Sequence, residues 1–224
     1  MGAQLRSATT SIVVIGEFNP STFHPSWFGA RELLPAELVE TALEGIQAVK
    51  NELLVFEAGW LSFQALPGRI SFTSRESASH LELRDLALGT LSLHGETSAE
   101  SLGLNRDSRY RVDTVDEWHA VGDRVAPNEP WAALTDGGRA GLLRLVIQLE
   151  RRYADVPGHT NVTVGPAPAD TPLEILVGIN DHFQFGAANE PSSNAARAAD
   201  VLTDVWEPSR ERANAITLHI MQMI

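Results

Sequence analysis

The sequence predicts an α+β fold, a mainly antiparallel sheet with helices packed on one face. Apolar and polar side chains alternate from residue 173 to 185, as they do along a half-buried strand. The dipeptide Pro67-Gly68 separates two strand-like runs, which predicts a hairpin and therefore antiparallel neighbours. Between residues 79 and 91, apolar side chains recur at helical spacing. Strands joined by hairpins and followed by helices are typical of the α+β class.

Length and composition indicate a protein that folds without covalent links. The chain has 224 residues, and we expect one α+β domain over residues 1–224. Folding at this size buries roughly 70% of the surface that the unfolded chain exposes. The chain contains no cysteine, which excludes disulfides, thiolate metal sites and a cysteine nucleophile.

The first half of the chain alternates between strand and helix patterns. A strand is predicted at 11–18, where an apolar run ends at Asn19-Pro20. A helix follows at 35–45, because Pro35 suits a first helical turn and Glu37 complements the helix dipole. The remaining predicted elements of this half are a strand at 52–65, its hairpin partner at 69–75 and a helix at 79–91.

Aromatic side chains are concentrated early in the chain, in a stretch predicted to be irregular. They are Phe18, Phe23, Trp27 and Phe28. Exposed, they would form a patch for a partner protein. The interpretation that the pattern favours is that they cover one end of the sheet.

The second half repeats this order of elements, which suggests an internal pseudo-duplication with halves 1–100 and 101–224. Two similar tripeptides, Gly103-Leu104-Asn105 and Gly178-Ile179-Asn180, lie in strands of this half. The dipeptide Pro157-Gly158 is predicted to turn one strand into the next. The predicted strands are 102–112, 143–150, 160–165 and 173–185, and the predicted helices are 114–125, 192–206 and from 209 onward.

Two ionic residues interrupt the alternation of two similar strands. Asp181 falls on the apolar face of the strand at 173–185, and Arg106 falls on the apolar face of the strand at 102–112. A buried, unpaired carboxylate costs roughly several kcal/mol, so we expect the two groups to form a bidentate ion pair. Such a pair is structural, the interpretation we favour, or it anchors an acidic ligand through Arg106.

Two weaker patterns supply candidates for catalysis and for metal binding. Asp181 and His182 provide a carboxylate and an imidazole, although neighbours along a strand face opposite sides of a sheet. Asp116, His119 and Asp123 share one face of the helix at 114–125, and His119 is a further catalytic candidate. That helix also reads as plainly amphipathic, so we expect no metal.

Known cofactor and nucleophile motifs are missing from the sequence. The chain has no GxSxG elbow, no HExxH pair, no phosphate-binding GxxxxGK loop and no GxGxxG fingerprint. We therefore expect no cofactor, and the sequence favours a role without catalysis.

Charge and hydropathy limit the possible partners. The net charge is −12, which disfavours nucleic-acid binding. The apolar runs are too short to span a bilayer, and the first residues lack the apolar segment of a secretory signal. We expect a cytoplasmic protein that does not engage the membrane.

Four segments together resemble a sporadically distributed family of bacterial proteins of no established activity. The segments are IVVIGEFNPSTFHPSWF, LGLNRDSRYRV, EWHAVGDRVAPNEPW and GINDHF. They occur in order through most of the chain. The resemblance implies a bacterial protein, and it implies no catalytic residue or ligand.

Three functional hypotheses follow from these patterns. The leading one is a non-enzymatic cytoplasmic protein that acts by protein–protein interaction or assembly, with a protein partner or as a homo-oligomer. The alternative is a small enzyme or ligand sensor with a polar site around Arg106, His119, Asp181 and His182. A weaker alternative is an acidic inhibitor that mimics DNA.

Overall fold

A computed structural model describes residues 3–50, 52–136, 138, 140–153, 156–168, 173–186 and 193–223. These residues form nine strands and five α-helices. The strands are β1 (Gln4–Gly16), β2 (Ile46–Lys50), β3 (Leu53–Ala58), β4 (Leu61–Leu66), β5 (Arg69–Ser74), β6 (Ala99–Arg111), β7 (Leu145–Tyr153), β8 (Val156–Pro166) and β9 (Glu174–Gln184). The helices are α1 (Pro25–Ala30), α2 (Ala36–Glu44), α3 (His80–Leu93), α4 (Val115–Val125) and α5 (Ala195–Gln222).

The nine described strands form one antiparallel sheet, in the order β2-β3-β4-β5-β1-β6-β9-β8-β7. The predicted α+β class is confirmed. The central pair is β1 with β6, and a meander returns toward each of these strands from the outer edge. Each half thus runs from a central strand through helix and meander to a closing helix. This order agrees with the suggested pseudo-duplication, which stays a prediction.

The helices pack against one face of the sheet, here called the covered face. Ile12 of β1 lies opposite Phe72 of β5 and Leu104 of β6, and all three are fully or almost fully buried. Helices α3 and α5 contribute Leu83 and Leu202 to the same core. Such burial of apolar area is the main favourable term in folding.

A second, smaller core lies on the covered face near the other edge of the sheet. It joins α4 and the end of α5 to β8 and β9, through Val121, Ile220, Val162 and Ile179. Helix α4 begins with the capping box that Thr114 and Glu117 form, which fixes where it starts.

The opposite face of the sheet, here called the polar face, carries a continuous row of polar residues. In strand-to-strand order the row is Glu57, Ser62, Thr73, Ser11, Asn105, Asn180, Asn161 and Gln148. Asn180 Nδ2 donates to Asn105 Oδ1 at 2.5 Å, and Asn105 Nδ2 donates to Ser11 Oγ at 3.2 Å. The similar tripeptides of the sequence therefore meet, with Asn105 directly opposite Asn180.

The early aromatic residues are part of the main core. Phe18, Phe23 and Phe28 are at most 4% exposed, and Trp27 packs against them. They cover one end of the sheet, as the favoured interpretation held, and the partner-patch interpretation is wrong. Part of this stretch is helical rather than irregular, since α1 begins at Pro25.

Some predicted bounds differ from the structure. The strand predicted at 11–18 begins earlier, since β1 starts at Gln4, and β2 was not predicted. Three further errors concern turns and a helix. The strand predicted at 52–65 is the hairpin of β3 and β4, because Gly59 takes a φ of 54° and turns the chain. Pro157-Gly158 lies inside β8 rather than in the turn before it. The two C-terminal helices are one helix, α5, which continues through Pro208 because buried side chains on both sides of it pack onto the sheet.

Candidate functional site

Arg106 and Asp181 lie on the covered face of two adjacent antiparallel strands, β6 and β9. Asp181 is opposite Leu104, and Arg106 is opposite Ile179, so the two ionic residues are diagonal neighbours. Asp181 is 1% exposed. The alternation of each strand thus identified correctly which face these residues share.

Ser209 of α5 joins the two charged groups. Its Oγ donates to Asp181 Oδ2 at 2.5 Å and accepts from Arg106 Nη1 at 2.9 Å. Thr160 of β8 donates its hydroxyl hydrogen to the other carboxylate oxygen, Oδ1. The contact that the structure describes between Arg106 and Asp181 runs through a hydroxyl, in place of the bidentate ion pair expected from the sequence.

The guanidinium of Arg106 is held from a second side by Trp206. The Arg106 Cζ atom lies 5.3 Å from the centre of the Trp206 ring, within the range of a cation–π contact. Burial lowers the pKa of Arg106 to about 10, although Asp181 opposes this lowering. Arg210 on the next turn of α5 adds to the lowering. The group stays protonated at neutral pH.

One nitrogen of the Arg106 guanidinium lacks a hydrogen-bond acceptor among the described residues. Arg106 Nη2 has no hydrogen-bond partner among the described residues and is out of contact with solvent. A buried donor without an acceptor costs roughly 1–3 kcal/mol, and more when the group is charged. The described residues therefore do not satisfy all the hydrogen-bond donors of the Arg106 guanidinium.

Arg106 lines a groove of about 490 Å³ between α5 and the β1–β6 pair, here called the α5 groove. The described residues that line it include Arg210, His80 and Tyr110, with the amide of Asn214. Arg210 also pairs with Glu207 on α5, at 2.7 Å. Neither Asp181 nor Glu207 is among the lining residues.

His182 is separated from Asp181 by the sheet itself. It lies on the polar face, where its ring centre is 4.9 Å from that of His159 on β8. Burial, and to a lesser extent His159, lowers the pKa of His182. The pairing of Asp181 with His182 as base and orienting carboxylate is therefore contradicted, since β9 has no bulge at this point of its pairing with β6.

His119 and the metal candidates lie in a third place, on α4. The ring of His119 packs against Trp118, with ring centres 5.1 Å apart. Asp123 accepts a hydrogen bond from the Asn128 amide. In the described part of the chain, no three His, Asp or Glu side chains are arranged so that they could hold a metal ion. The candidates Asp116, His119 and Asp123 therefore do not form such a group. The four residues of the proposed polar site do not converge.

The sequence reasoning missed Ser209, Thr160 and Trp206. The predicted final helix begins at Ser209, which lies in the interior of α5 in the structure. One signal could have pointed to Ser209 and Thr160. A buried carboxylate needs hydrogen-bond donors, and hydroxyl side chains supply them.

Comparison with known proteins provides no family for this chain. No protein-family model matches the sequence, and no curated protein matches it. None of the helices in the described part of the chain combines the length and the apolar character that a membrane span requires.

Proposed function

We propose that this protein is a non-catalytic binding protein that recognises a small organic anion in the α5 groove. The observation that carries the proposal is the charge of the lining. The described lining residues include Arg106 and Arg210 and no Asp or Glu, in a chain whose net charge is −12. A cationic lining inside an acidic protein selects for anionic ligands.

The fixed position of Arg106 supports this function. Ser209 and Trp206 hold its guanidinium, so little side-chain freedom is lost when a ligand binds. A carboxylate or phosphate group in the groove gains a charge-assisted contact with the part of the Arg106 guanidinium that lines it. Both groups match the planar fork of an arginine.

The rest of the lining supports a ligand with an apolar body. Tyr110, Trp206, Leu218 and Met221 line the groove beside the arginines. Its volume of about 490 Å³ is within the usual range of small-molecule sites, about 300–1,000 Å³. An aromatic or aliphatic carboxylate or phosphate ester fits this combination.

The test is calorimetric titration with 2-naphthoate, an aromatic carboxylate, and with 2-naphthamide, its neutral counterpart. We expect 2-naphthoate to bind and 2-naphthamide to bind at least tenfold more weakly, about the effect of one charge-assisted contact. Inorganic phosphate tests whether the anionic group suffices without the apolar body. Equal affinity for the acid and the amide would refute anion recognition.

Variants assign the binding to this groove. Arg106→Lys keeps the charge and removes the planar fork, and Arg210→Met removes a partly exposed cation outside the buried network. Both should weaken 2-naphthoate binding while the circular dichroism spectrum stays unchanged. Arg31→Met, at an exposed arginine after α1, is the matched control and should bind normally. Normal binding by the Arg106 and Arg210 variants would place the ligand elsewhere.

The protein–protein function expected from the sequence remains a separate proposal, and so does the weaker DNA-mimic hypothesis. The ligand-binding alternative from the sequence agrees with this proposal in its use of Arg106, but His119 and His182 are not part of the proposed site.

A further inference from the structure

The outer edge of the sheet at β7 carries exposed apolar side chains. β7 is the last strand in the order of the described sheet, so its outer edge pairs with no described strand. Val146 is 48% exposed and Ile147 is 47% exposed, and Leu143 just before the strand is 87% exposed. Edge strands of proteins that act alone are usually short or protected by charge or proline. This one is nine residues long, and its first five residues, 145–149, include no charge and no proline.

An apolar cleft lies beside the same edge, on the covered face. It has a volume of about 630 Å³, and three residues of β7 line it, Leu145, Ile147 and Leu149. Ile216 and Ile220 of α5 form its other wall. Three apolar side chains of β7 line the cleft, so a strand added at this edge would extend the apolar surface of the covered face.

The side chains of β7 are arranged so that the strand complements itself. A second copy can extend the sheet across a two-fold axis perpendicular to it, which makes the two β7 strands antiparallel. Residues directly opposite each other then share a face. With the axis at Ile147, Leu145 lies opposite Leu149 of the second copy, and Arg144 lies opposite Glu150 of the second copy. Apolar residues meet on the covered face, and opposite charges meet on the polar face.

When the two-fold axis is moved by one residue along β7, the opposite charges of the two copies no longer pair. An axis at Gln148 brings Glu150 opposite Val146, where Glu150 meets no charge. An axis at Val146 brings Arg144 opposite Gln148. Cross-strand pairs of opposite charge stabilise a sheet and like charges destabilise it, so the axis at Ile147 is preferred.

We propose that two copies of this chain pair through β7 about a two-fold axis at Ile147, joining two nine-stranded sheets into one. The apolar clefts of the two copies then lie on either side of the axis, both on the covered face. This interface is independent of the α5 groove, because no residue of β7 lines that groove.

Single-cysteine variants test the register directly, because the natural chain contains no cysteine. In Ile147→Cys the two thiols would lie directly opposite each other, with Cα atoms about 4.5–5.5 Å apart, within disulfide range. In Gln148→Cys the two thiols are offset along the strands by two residues, which separates their Cα atoms by about 8 Å. We expect mild oxidation to link Ile147→Cys into a dimer and to leave Gln148→Cys and Leu43→Cys, an exposed position on α2, mainly unlinked.

Sedimentation velocity and a charge exchange complete the test. The natural chain should sediment as a dimer at micromolar concentration, and Ile147→Glu as a folded monomer that still binds 2-naphthoate if the proposed function holds. Arg144→Glu and Glu150→Arg should each weaken dimerisation about tenfold, since each change affects two symmetric pairs. The double variant should restore the affinity. A natural chain that stays monomeric would overturn the proposal, and so would a double variant no better than the single ones.

Discussion

Replacing Ser209 with alanine removes the hydroxyl that connects the buried Asp181 carboxylate with the partly buried Arg106 guanidinium. The side chain is fully buried, and it makes one hydrogen bond to the Asp181 carboxylate and accepts one from the Arg106 guanidinium. Alanine leaves a small space and no hydrogen-bonding group. The Thr160 bond to Asp181 stays in place.

The expected cost follows from the two bonds. A hydrogen bond to a charged group contributes roughly 1.5–3 kcal/mol, so the loss of both costs about 3–6 kcal/mol. The guanidinium and the carboxylate attract each other and can move into the vacated space, which recovers part of this energy. We therefore expect a loss of about 3 kcal/mol, which for a chain of this size lowers Tm by about 6–12 °C.

The assay is reversible urea unfolding followed by circular dichroism, with the m-value compared between variants. Thr203→Ala is the control, because Thr203 is also on α5 and, among the described residues, its hydroxyl bonds to the Ala199 carbonyl of the same helix. That change should cost less than about 0.5 kcal/mol. A Ser209→Ala loss as small as the control's would refute the description of Ser209 as the link between Arg106 and Asp181.

Three further changes have expected outcomes that unfolding experiments measure. Asp181→Ala should cost about 3 kcal/mol or more, because it leaves Arg106 buried without its counter-charge, and a loss below about 0.5 kcal/mol would contradict this. Gly158→Ala should cost about 1–3 kcal/mol, since its Cβ would collide with the main-chain carbonyl of His182, and no loss would mean that β8 and β9 are spaced differently. Burial and His159 lower the pKa of folded His182, so the unfolded chain takes up the proton first as pH falls below about 6.5. Stability should therefore fall with decreasing pH in that range, less steeply in His182→Gln, and an unchanged slope would contradict the assignment.

The alternation of side chains along each strand predicted which residues share the covered face, because that alternation depends only on the position of a residue within its own strand. The period of two placed Asp181 and Arg106 on one face, and their strands are adjacent. It also placed His182 on the other face, which is what separates the catalytic candidates. A strand pattern therefore predicts the face to which each side chain points.

The hydrogen-bond partners of Asp181 and Arg106 could not be predicted from the sequence, because they belong to other strands and helices. Ser209 is on a helix 28 residues after Asp181 in the chain, and Thr160 is 21 residues before it. The predicted break between residues 206 and 209 is wrong, because α5 continues through Pro208, although a proline inside a helix usually ends or bends it. Here the burial of Trp206 and Ser209 against the sheet keeps α5 continuous.

The long strand predicted at 52–65 was wrong for a related reason. Phe56, Ala58, Leu61 and Phe63 are all buried, so apolar residues on both sides of the turn hide it. Gly59 was the signal of the turn, because it takes a φ of 54°.

A crystal structure of the protein grown with 2-naphthoate tests the proposed recognition most directly. We expect the naphthyl ring to lie beside Tyr110 or Trp206, and the carboxylate to lie within hydrogen-bond distance of Arg106 or Arg210. A carboxylate bound elsewhere, or an empty α5 groove at saturating 2-naphthoate, would contradict the proposal.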